Sequence, residues 1–398
     1  MADSNQVDIT IAAESTFGTS PGEAGTWGTL RTLSDSLKHT NDVTRSDEIR
    51  SLRDTRDLHW INKSAGGSIN MNGYYDDNYA GSAHMQQWAL GASAWSNSSA
   101  DLSVAAAAAV SITATSRTFA LDASTWANDP AVGDWVYISG AANAASNGYH
   151  KVESIATSNT FTVETDIGAD ESSVSLTIVV MSSITNGETL TTLSIQRNYT
   201  DLSSQSELFV GMAIDGWSFG SEGQETMKQN FDFLGFGATS NTSPISADVL
   251  PSATDAYVSP KNCDWIREGS NYAGVTALGV SFQVQNNIRK RYAQGTFGAS
   301  AFKQGDFIVS GNLKAYFATE TLFDKFINQA DSKLAFAVRD QATTKGNANI
   351  YDWPNVRYTD GRRVAGGRNQ DIIADLSWEA RYHSGTAATM KIAKTASA

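Results

Sequence analysis

The chain has 398 residues, of which 41% are hydrophobic and 10% aromatic, enough to build sizeable cores in two or three domains. Its 29 Lys and Arg against 42 Asp and Glu leave a net charge of -13, which argues against a surface that grips nucleic acid by neutralising phosphates. The single cysteine, Cys263, argues against an internal disulfide framework and fits a reducing compartment, where a lone thiol is a packing residue.

In chain order, the opening MADSNQVDIT has neither a basic nor an apolar leader region, and no stretch approaches the roughly 18 apolar residues of a membrane-spanning helix. A soluble, unexported chain with no membrane partner is expected. The sequons at Asn97, Asn198 and Asn241 are then uninformative, because glycosylation presupposes secretion. The next segment, His39–Trp60, is unusual for a chain that is only 18% charged: HTNDVTRSDEIRSLRDTRDLHW sets Arg45, Arg50, Arg53 and Arg56 among Asp42, Asp47, Glu48, Asp54 and Asp57. A mixed-charge surface loop contributes little, about 0–1 kcal/mol per pair. Networks of such pairs across a subunit boundary select register and partner instead.

Beyond it, short alternating or apolar runs bounded by Gly, Asn and Asp predict strands: GSINMNGYY, TLSIQRN, LFVGMAIDGWSF, TMKQNFDFLGF, GVSFQVQNN, DFIVSGNLKAYF, KLAFAVRD and DIIADLSWEARY. Helices are predicted over Asn78–Leu90 and Thr319–Gln329, the second with Thr319 as N-cap. The surroundings of the two helices match. Each order is strand, long loop, strand, helix, three strands, and Ser36 to Gly67 spans almost the same distance as Ser281 to Gly311. Two copies of one fold are therefore expected. Between helix and next strand the first copy is interrupted by a stretch rich in Ala, Ser, Thr and Val, which predicts an inserted small β-barrel or sandwich that projects outward. The expected division is 1–95 with 184–245 for the first copy, 96–183 for the insert and 246–398 for the second.

No constellation supports an enzyme or a cofactor. The five histidines show no metal-ligand spacing. GFGATS at Gly235–Ser240 lacks the Lys-Ser/Thr of a phosphate loop and reads as a turn. Asp76–Asp77 have no nucleophile or His beside them. Trp217, Phe219, Phe231, Phe233 and Trp378 alternate at strand spacing and read as core rather than as a base-stacking platform.

AESTFGTSPG, TRSDEIRSLRDTRDL, GGSINMNGYYDD, GNLKAYFATETLFDKF, AFAVRDQ and WEARYHSGTAATMKI together resemble the major tail tube proteins of long-tailed bacteriophages. The insert, with AVGDWVYISGAANAASNGYHKVESI, is itself similar to modules attached to such proteins. The resemblance implies a mainly β fold: a duplicated β-sandwich, each copy with one flanking helix, whose inner sheets join into rings that stack into a tube for DNA delivery. The implied partners are further copies of the chain, other tail proteins at the tube ends, and double-stranded DNA that passes without adhering. Three chains, each of two fused folds, would make a pseudo-hexameric ring, assembled in the host cytoplasm and resident in the virion tail.

On this reading Asp42, Arg45, Asp47, Glu48, Arg50, Arg53, Asp54, Arg56 and Asp57 connect one ring to the next, with Arg289, Lys290, Arg291 and Lys303 as second-copy counterparts. Candidate lumen acids are Asp215, Glu225, Asp232, Asp371, Asp375 and Glu379, which would repel phosphates where a basic wall would hold them. The alternative is a carbohydrate- or receptor-binding decoration protein, with Trp126, Trp135 and Tyr137 of the insert as a sugar-stacking face.

Overall fold

The computed structural model describes residues 3, 6–49, 51, 54, 57–73, 81–96, 102–103, 109–122, 130–202, 205–222, 225–241, 243–245, 249–251, 260–271, 273–316, 320–339, 348–365, 368 and 371–395. The first strands are β1 (Val7–Ala13), β2 (Trp27–Leu30), β3 (Ser34–Asp35), β4 (Lys38–Arg45) and β5 (Leu58–Asn72), followed by helix α1 (Ser82–Ala89). A block of short strands comes next: β6 (Leu102–Ser103), β7 (Ala109–Thr113), β8 (Thr118–Leu121), β9 (Trp135–Ser139), β10 (Gly148–Thr157), β11 (Thr160–Val163), β12 (Glu171–Ser175) and β13 (Thr177–Val180). Then follow β14 (Ser182–Thr185), β15 (Leu193–Tyr199), β16 (Gln205–Glu222), β17 (Lys228–Gly235), β18 (Gly237–Asn241) and β19 (Val249–Leu250). The last elements are β20 (Cys263–Glu268), β21 (Ala273–Gly274), β22 (Ala277–Gln285), β23 (Arg289–Arg291), β24 (Ala301–Lys303), β25 (Ile308–Tyr316), helix α2 (Thr321–Ile327), β26 (Ser332–Arg339), β27 (Ala348–Ala365), β28 (Ile372–Ala380) and β29 (Lys391–Lys394). Both helices lie inside the segments read from the sequence; Thr319 is outside the described residues, and Glu320 holds the N-cap position of α2.

One pairing order occurs twice. β4 pairs β5, β5 pairs β17, β17 pairs β16 and β16 pairs β15; likewise β22 pairs β25, β25 pairs β28, β28 pairs β27 and β27 pairs β26. The irregularities recur too. β16 slips against β15 between Leu193 and Ile195 and against β17 between Ile214 and Gly216, while β27 slips between Ser332 and Leu334 and between Tyr358 and Asp360, so that Ile214 and Tyr358 are equivalent across an offset of 358 - 214 = 144. Bulges of this kind bend a strand, and here they let β16 and β27, each 18 residues long, pair with different neighbours along their first and second halves. Gly67 and Gly311 are also equivalent: a Cβ on either would stand 2.4 Å from a carbonyl oxygen, that of Ser36 or Ser281.

β22 joins the two sets by pairing antiparallel with the C-terminal half of β16. The result is a continuous antiparallel sheet in the order β3/β4, β5, β17, β16, β22, β25, β28, β27. Alternation sets its faces. Gln229, Phe231 and Phe233 of β17 are buried while Lys228 and Asp232 are exposed, and Val280, Phe282 and Val284 of β22 are buried while Ser281, Gln283 and Gln285 are exposed. The apolar face packs in one core with Ile9, Ile11, Leu193 and Ile195 of the strands behind it, with Met85, Trp88 and Ala89 of α1, and with Phe336, Tyr351 and Trp353. Each such side chain removed from water stabilises the fold by about 1.5–3 kcal/mol.

The strands β6 to β13 form a sheet of their own, around Val110, Ile112, Phe119, Val136, Ile138, Val152 and Phe161. The ends of this block meet: the Ser96 amide donates to the Ser183 carbonyl at 2.8 Å. The block is docked, not loose. Trp135, Tyr137, Tyr149, Val179 and Met181 pack on Trp265, Ala335, Ala337, Ala348, Ile350 and Ala393, and Lys151 reaches Asp352 at 2.7 Å with both side chains 1% exposed. Lys333–Glu164 at 2.5 Å and Lys391–Asp134 at 2.7 Å add ionic contacts around this patch.

Candidate assembly surfaces

The exposed face of the continuous sheet is polar because every second residue on its strands is Ser, Asn, Gln, Gly or charged: Ser68, Asn70, Ser218, Asn230, Ser281, Gln283, Ser310, Asn312 and Ser377. Of the candidate lumen acids, Asp232, Asp375 and Glu379 lie on this face. Asp232 accepts from Asn230 at 2.9 Å. Asp375 is held below the ordinary carboxylate range by a hydrogen bond from Asn312, with Arg362 beside it at 2.8 Å and Lys314 nearby. The other three lie elsewhere. Asp215 sits in the β16 bulge, where its carboxylate accepts the Ile288 amide at 2.6 Å and so shapes the turn after β22. Glu225 is in the β16–β17 turn, 3.8 Å from Lys228, and Asp371 precedes β28. Lys38, Lys228, Lys314 and Arg362 share the face with the acids, so neither sign dominates it.

The charged segment 39–60 is not a loop for most of its length. β4 and β5 continue past the sheet as a two-stranded ribbon in which Asp42 pairs with Asn62 and Arg45 with Leu58. Asn62 donates to the Asp42 carboxylate at 2.9 Å, and the Ser46 amide reaches the Asp57 carbonyl. Asp47, Glu48 and Asp54 are exposed at its tip; Arg50, Arg53 and Arg56 lie outside the described residues. Among these charges the ribbon also exposes apolar residues, which the charge pattern does not reveal: Val43, Leu58, Trp60 and Ile61, the last three each more than half exposed. Their own alternation with His59 and Asn62 was the available signal.

The second-copy counterparts are arranged differently. β23 and β24 form a short hairpin carrying Arg289, Lys290, Arg291 and Lys303, folded back onto the first half of the chain. Ile288, Ala299 and Phe302 pack there on Ala213, Phe17, Leu190 and Leu234, with Phe302 and Phe17 ring centres 4.9 Å apart. Lys290 is half-buried; burial lowers its pKa, and the nearby Asp42 opposes that shift. The two charged segments of one chain thus adjoin each other.

The proposed sugar-stacking residues are not available as a face. Trp135 and Tyr137 are buried in the contact between the insert and the strands β26, β27 and β29, where Trp135 stacks on Trp265 and donates to Asp352 at 3.2 Å. Trp126 lies outside the described residues. Cys263 is partly buried, and burial raises its thiol to about 11. Among the described residues no three His, Cys, Asp or Glu side chains converge as metal ligands, and no helix is long and apolar enough to cross a membrane.

Among the described residues the continuous sheet has two open edges. On β3/β4 the Ser36 amide donates to Ser68, so Leu37 points its backbone groups the other way. There the Leu37 amide donates to Asp35 Oδ1 at 3.2 Å and its carbonyl accepts from Arg197 Nη2 at 2.9 Å. Arg197 also pairs with Asp35 and, at 2.6 Å, with Glu207. On the far edge, residues 360–365 of β27 pair with β28 on one side and, among the described residues, with no strand on the other. Arg363 there reaches Glu320 at 3.4 Å and lies over the Phe323 ring at 4.0 Å.

A mainly β chain with a polar sheet face, two sheet edges that meet no further strand among the described residues and a protruding ribbon presents surfaces of the kind that assembling subunits use. A family model described as phage tail tube protein matches residues 4–380, nearly the whole length, and the chain belongs to that family. It is thus a structural protein of the virion tail. No curated protein matches it.

Proposed function

We propose that the chain self-assembles into rings that stack into the hollow tail tube, and that double-stranded DNA passes along the polar face of the continuous sheet. The observation that carries this reading is that sheet itself: eight antiparallel positions, polar on one face, apolar on the other, open at both ends. The doubled pairing order and the bulges repeated 144 residues apart support two fused copies of one tube fold in each chain. Three chains then supply 24 strands, which at about 4.8 Å per strand give a backbone circle on the order of 37 Å across before strand tilt widens it. A barrel of that many strands encloses an open channel.

Such a wall lets DNA slide for a reason other than strong repulsion. Its acids are interleaved with Lys and Arg and one is already paired within the chain, so the Ser, Asn and Gln surface offers, among the described residues, no cluster of cations that would hold the phosphates by displacing their counterions. The ribbon 41–62, with exposed apolar residues among its charges, suits a contact with the next ring. The insert lies on the opposite side of the second half from the polar face and decorates the outside, docked by its own contacts. Assembly takes place in the host cytoplasm, and other tail proteins cap the ends. Electron microscopy of the purified protein, with native mass spectrometry of detached rings, tests the reading. Tubes built from three-chain rings are expected; a protein that stays monomeric at high concentration sinks the tube, and six chains per ring sinks the duplication.

A further inference from the structure

The chain already contains one junction between its two halves, and the repeat says what the junction between chains must be. In the internal junction β16 pairs β22 from Gly216–Gln285 to Glu222–Gly279, with Phe219 opposite Phe282. The equivalents follow from the pairings. Tyr358 and Asp360 replace Ile214 and Gly216, so Arg363 stands where Phe219 stands in the first half. Gly67 and Gly311 correspond, so Leu37 stands where Phe282 stands in the second.

Resting on the tube reading, we propose that the edge 360–365 of one chain adds antiparallel to the edge 35–40 of a second copy, with Arg363 opposite Leu37, Arg362 opposite Lys38 and Gly361 opposite His39. The junction is closed by an ion cluster where the internal one is closed by aromatics. Inside the chain, Phe219 meets Phe282, Phe336 and Tyr351 at ring separations of 5.8, 5.9 and 5.0 Å. Register places Arg197 and Glu207 where Phe336 and Tyr351 are, since Arg197 pairs with Glu207 as Phe336 does with Tyr351. Arg363 therefore enters a pocket edged by Asp35, Arg197 and Glu207, and two cations meet two carboxylates. The Arg197 and Asp35 side chains that occupy the Leu37 backbone groups in the single chain are the placeholders that the incoming strand relieves. Lys38 and Arg362 face the channel, and the pairing of Arg362 with Asp375 removes the repulsion between them.

Cysteine pairs in the full-length chain read the register. Lys38 and Arg362 form a pair of the close, non-hydrogen-bonded kind, which suits a disulfide. Under mild oxidation of assembled protein, Lys38→Cys/Arg362→Cys is expected to give a covalent ladder that ends at three chains, at least ten-fold more than Lys38→Cys/Asp360→Cys or Ser36→Cys/Arg362→Cys. The native Cys263 thiol, raised to about 11, stays out of the reaction. Arg363→Glu is expected to reduce assembly at least ten-fold with unchanged melting, while Glu320→Gln, which removes only the ion pair with Glu320 within the chain, assembles normally. Tubes that form but link through a shifted pair, or not at all, overturn this junction and leave the tube standing. Tubes of normal yield from Arg363→Glu overturn its ionic closure, and a chain that makes no ring under any condition overturns both proposals.

Discussion

The internal junction of the sheet and its two open edges use the same backbone pairing but opposite side-chain chemistry. Where β16 meets β22, Trp217, Phe219, Phe282, Phe336 and Tyr351 form a dry aromatic cluster, with Trp217 and Phe282 ring centres 4.9 Å apart in an edge-on contact. At the equivalent places on the open edges stand Gly361, Arg363, Leu37, Arg197 and Glu207. A contact made once, during folding, never has to meet water and can be apolar. An edge that waits in solution for another copy has to stay soluble, and an exposed aromatic edge would pair with any strand it met. The insert forms a third junction, intermediate in kind, in which an apolar patch surrounds a buried Lys151–Asp352 pair.

Removing the centre of the internal junction has the largest expected effect. Phe282→Ala deletes a side chain that is 2% exposed and should lower stability by about 3–5 kcal/mol, read as the midpoint of denaturant unfolding. Arg363→Ala at the open edge should leave that midpoint within about 0.5 kcal/mol of the parent, as surface changes do. Equal losses at the two sites would erase the contrast.

The docked insert is expected to behave like the internal junction and not like an edge. Lys151→Met leaves the buried Asp352 carboxylate without its cation and should cost about 3–5 kcal/mol, part of it recovered by Lys151→Met/Asp352→Leu, which also takes the acceptor from Trp135 Nε1. For the same reason, replacing residues 96–183 with a flexible linker should lower solubility by uncovering Trp265, Ala335, Ala337 and Ile350. A linker variant as soluble and as stable as the parent would mean that this junction is dispensable.

A somewhat smaller effect is expected from acid. His150 is buried beside Thr165 and Phe119, and burial, with Arg267 adding to it, lowers its pKa from 6.5 to about 4. A depressed histidine is neutral in the folded chain, so between these values the unfolded state holds more protons. Stability is then complete above pH 6.5 and falls as pH drops toward 4, by at most about 3 kcal/mol. Melting temperature against pH for the parent and for His150→Gln should show this slope only in the parent.

The smallest effect on the single chain is expected in the charged sequence between β4 and β5. Reversing Arg50, Arg53 and Arg56 to Glu together should shift stability by no more than about 0.5 kcal/mol and yet abolish tube growth, as seen by light scattering. Added salt should weaken growth only in part, because pairs that become partly buried on assembly are screened less. Unchanged growth in the triple variant removes the ribbon charges from the ring-to-ring contact.

The sequence by itself determined most of the strands of the continuous sheet, the segments that hold the two helices and the matching order around them, but not the ribbon of β4 and β5. Alternation such as Asn230, Phe231, Asp232, Phe233 is a local consequence of side chains pointing to opposite faces, and it needs no partner to be read. Gly67 and Gly311 were legible only as landmarks of matching spacing; the structure adds the reason for glycine, a backbone carbonyl that leaves no room for a Cβ at either place. Pairing was not legible. That β22 adds to β16, that the 289–303 hairpin lies on Phe17 and Leu234, and that Trp135 and Tyr137 face Trp265 and Ile350 depend on which surfaces meet after long stretches of chain have closed. The candidate acids divided for the same reason: Asp232, Asp375 and Glu379 kept strand parity and lie on the polar face, whereas a single extra residue at the β16 bulge turned Asp215 to the Ile288 amide. Arg363 and Phe219 look unrelated in the sequence. Only the tertiary pairing puts them at matching places in the two pairing orders, where the difference between them separates an edge left open from a junction already closed.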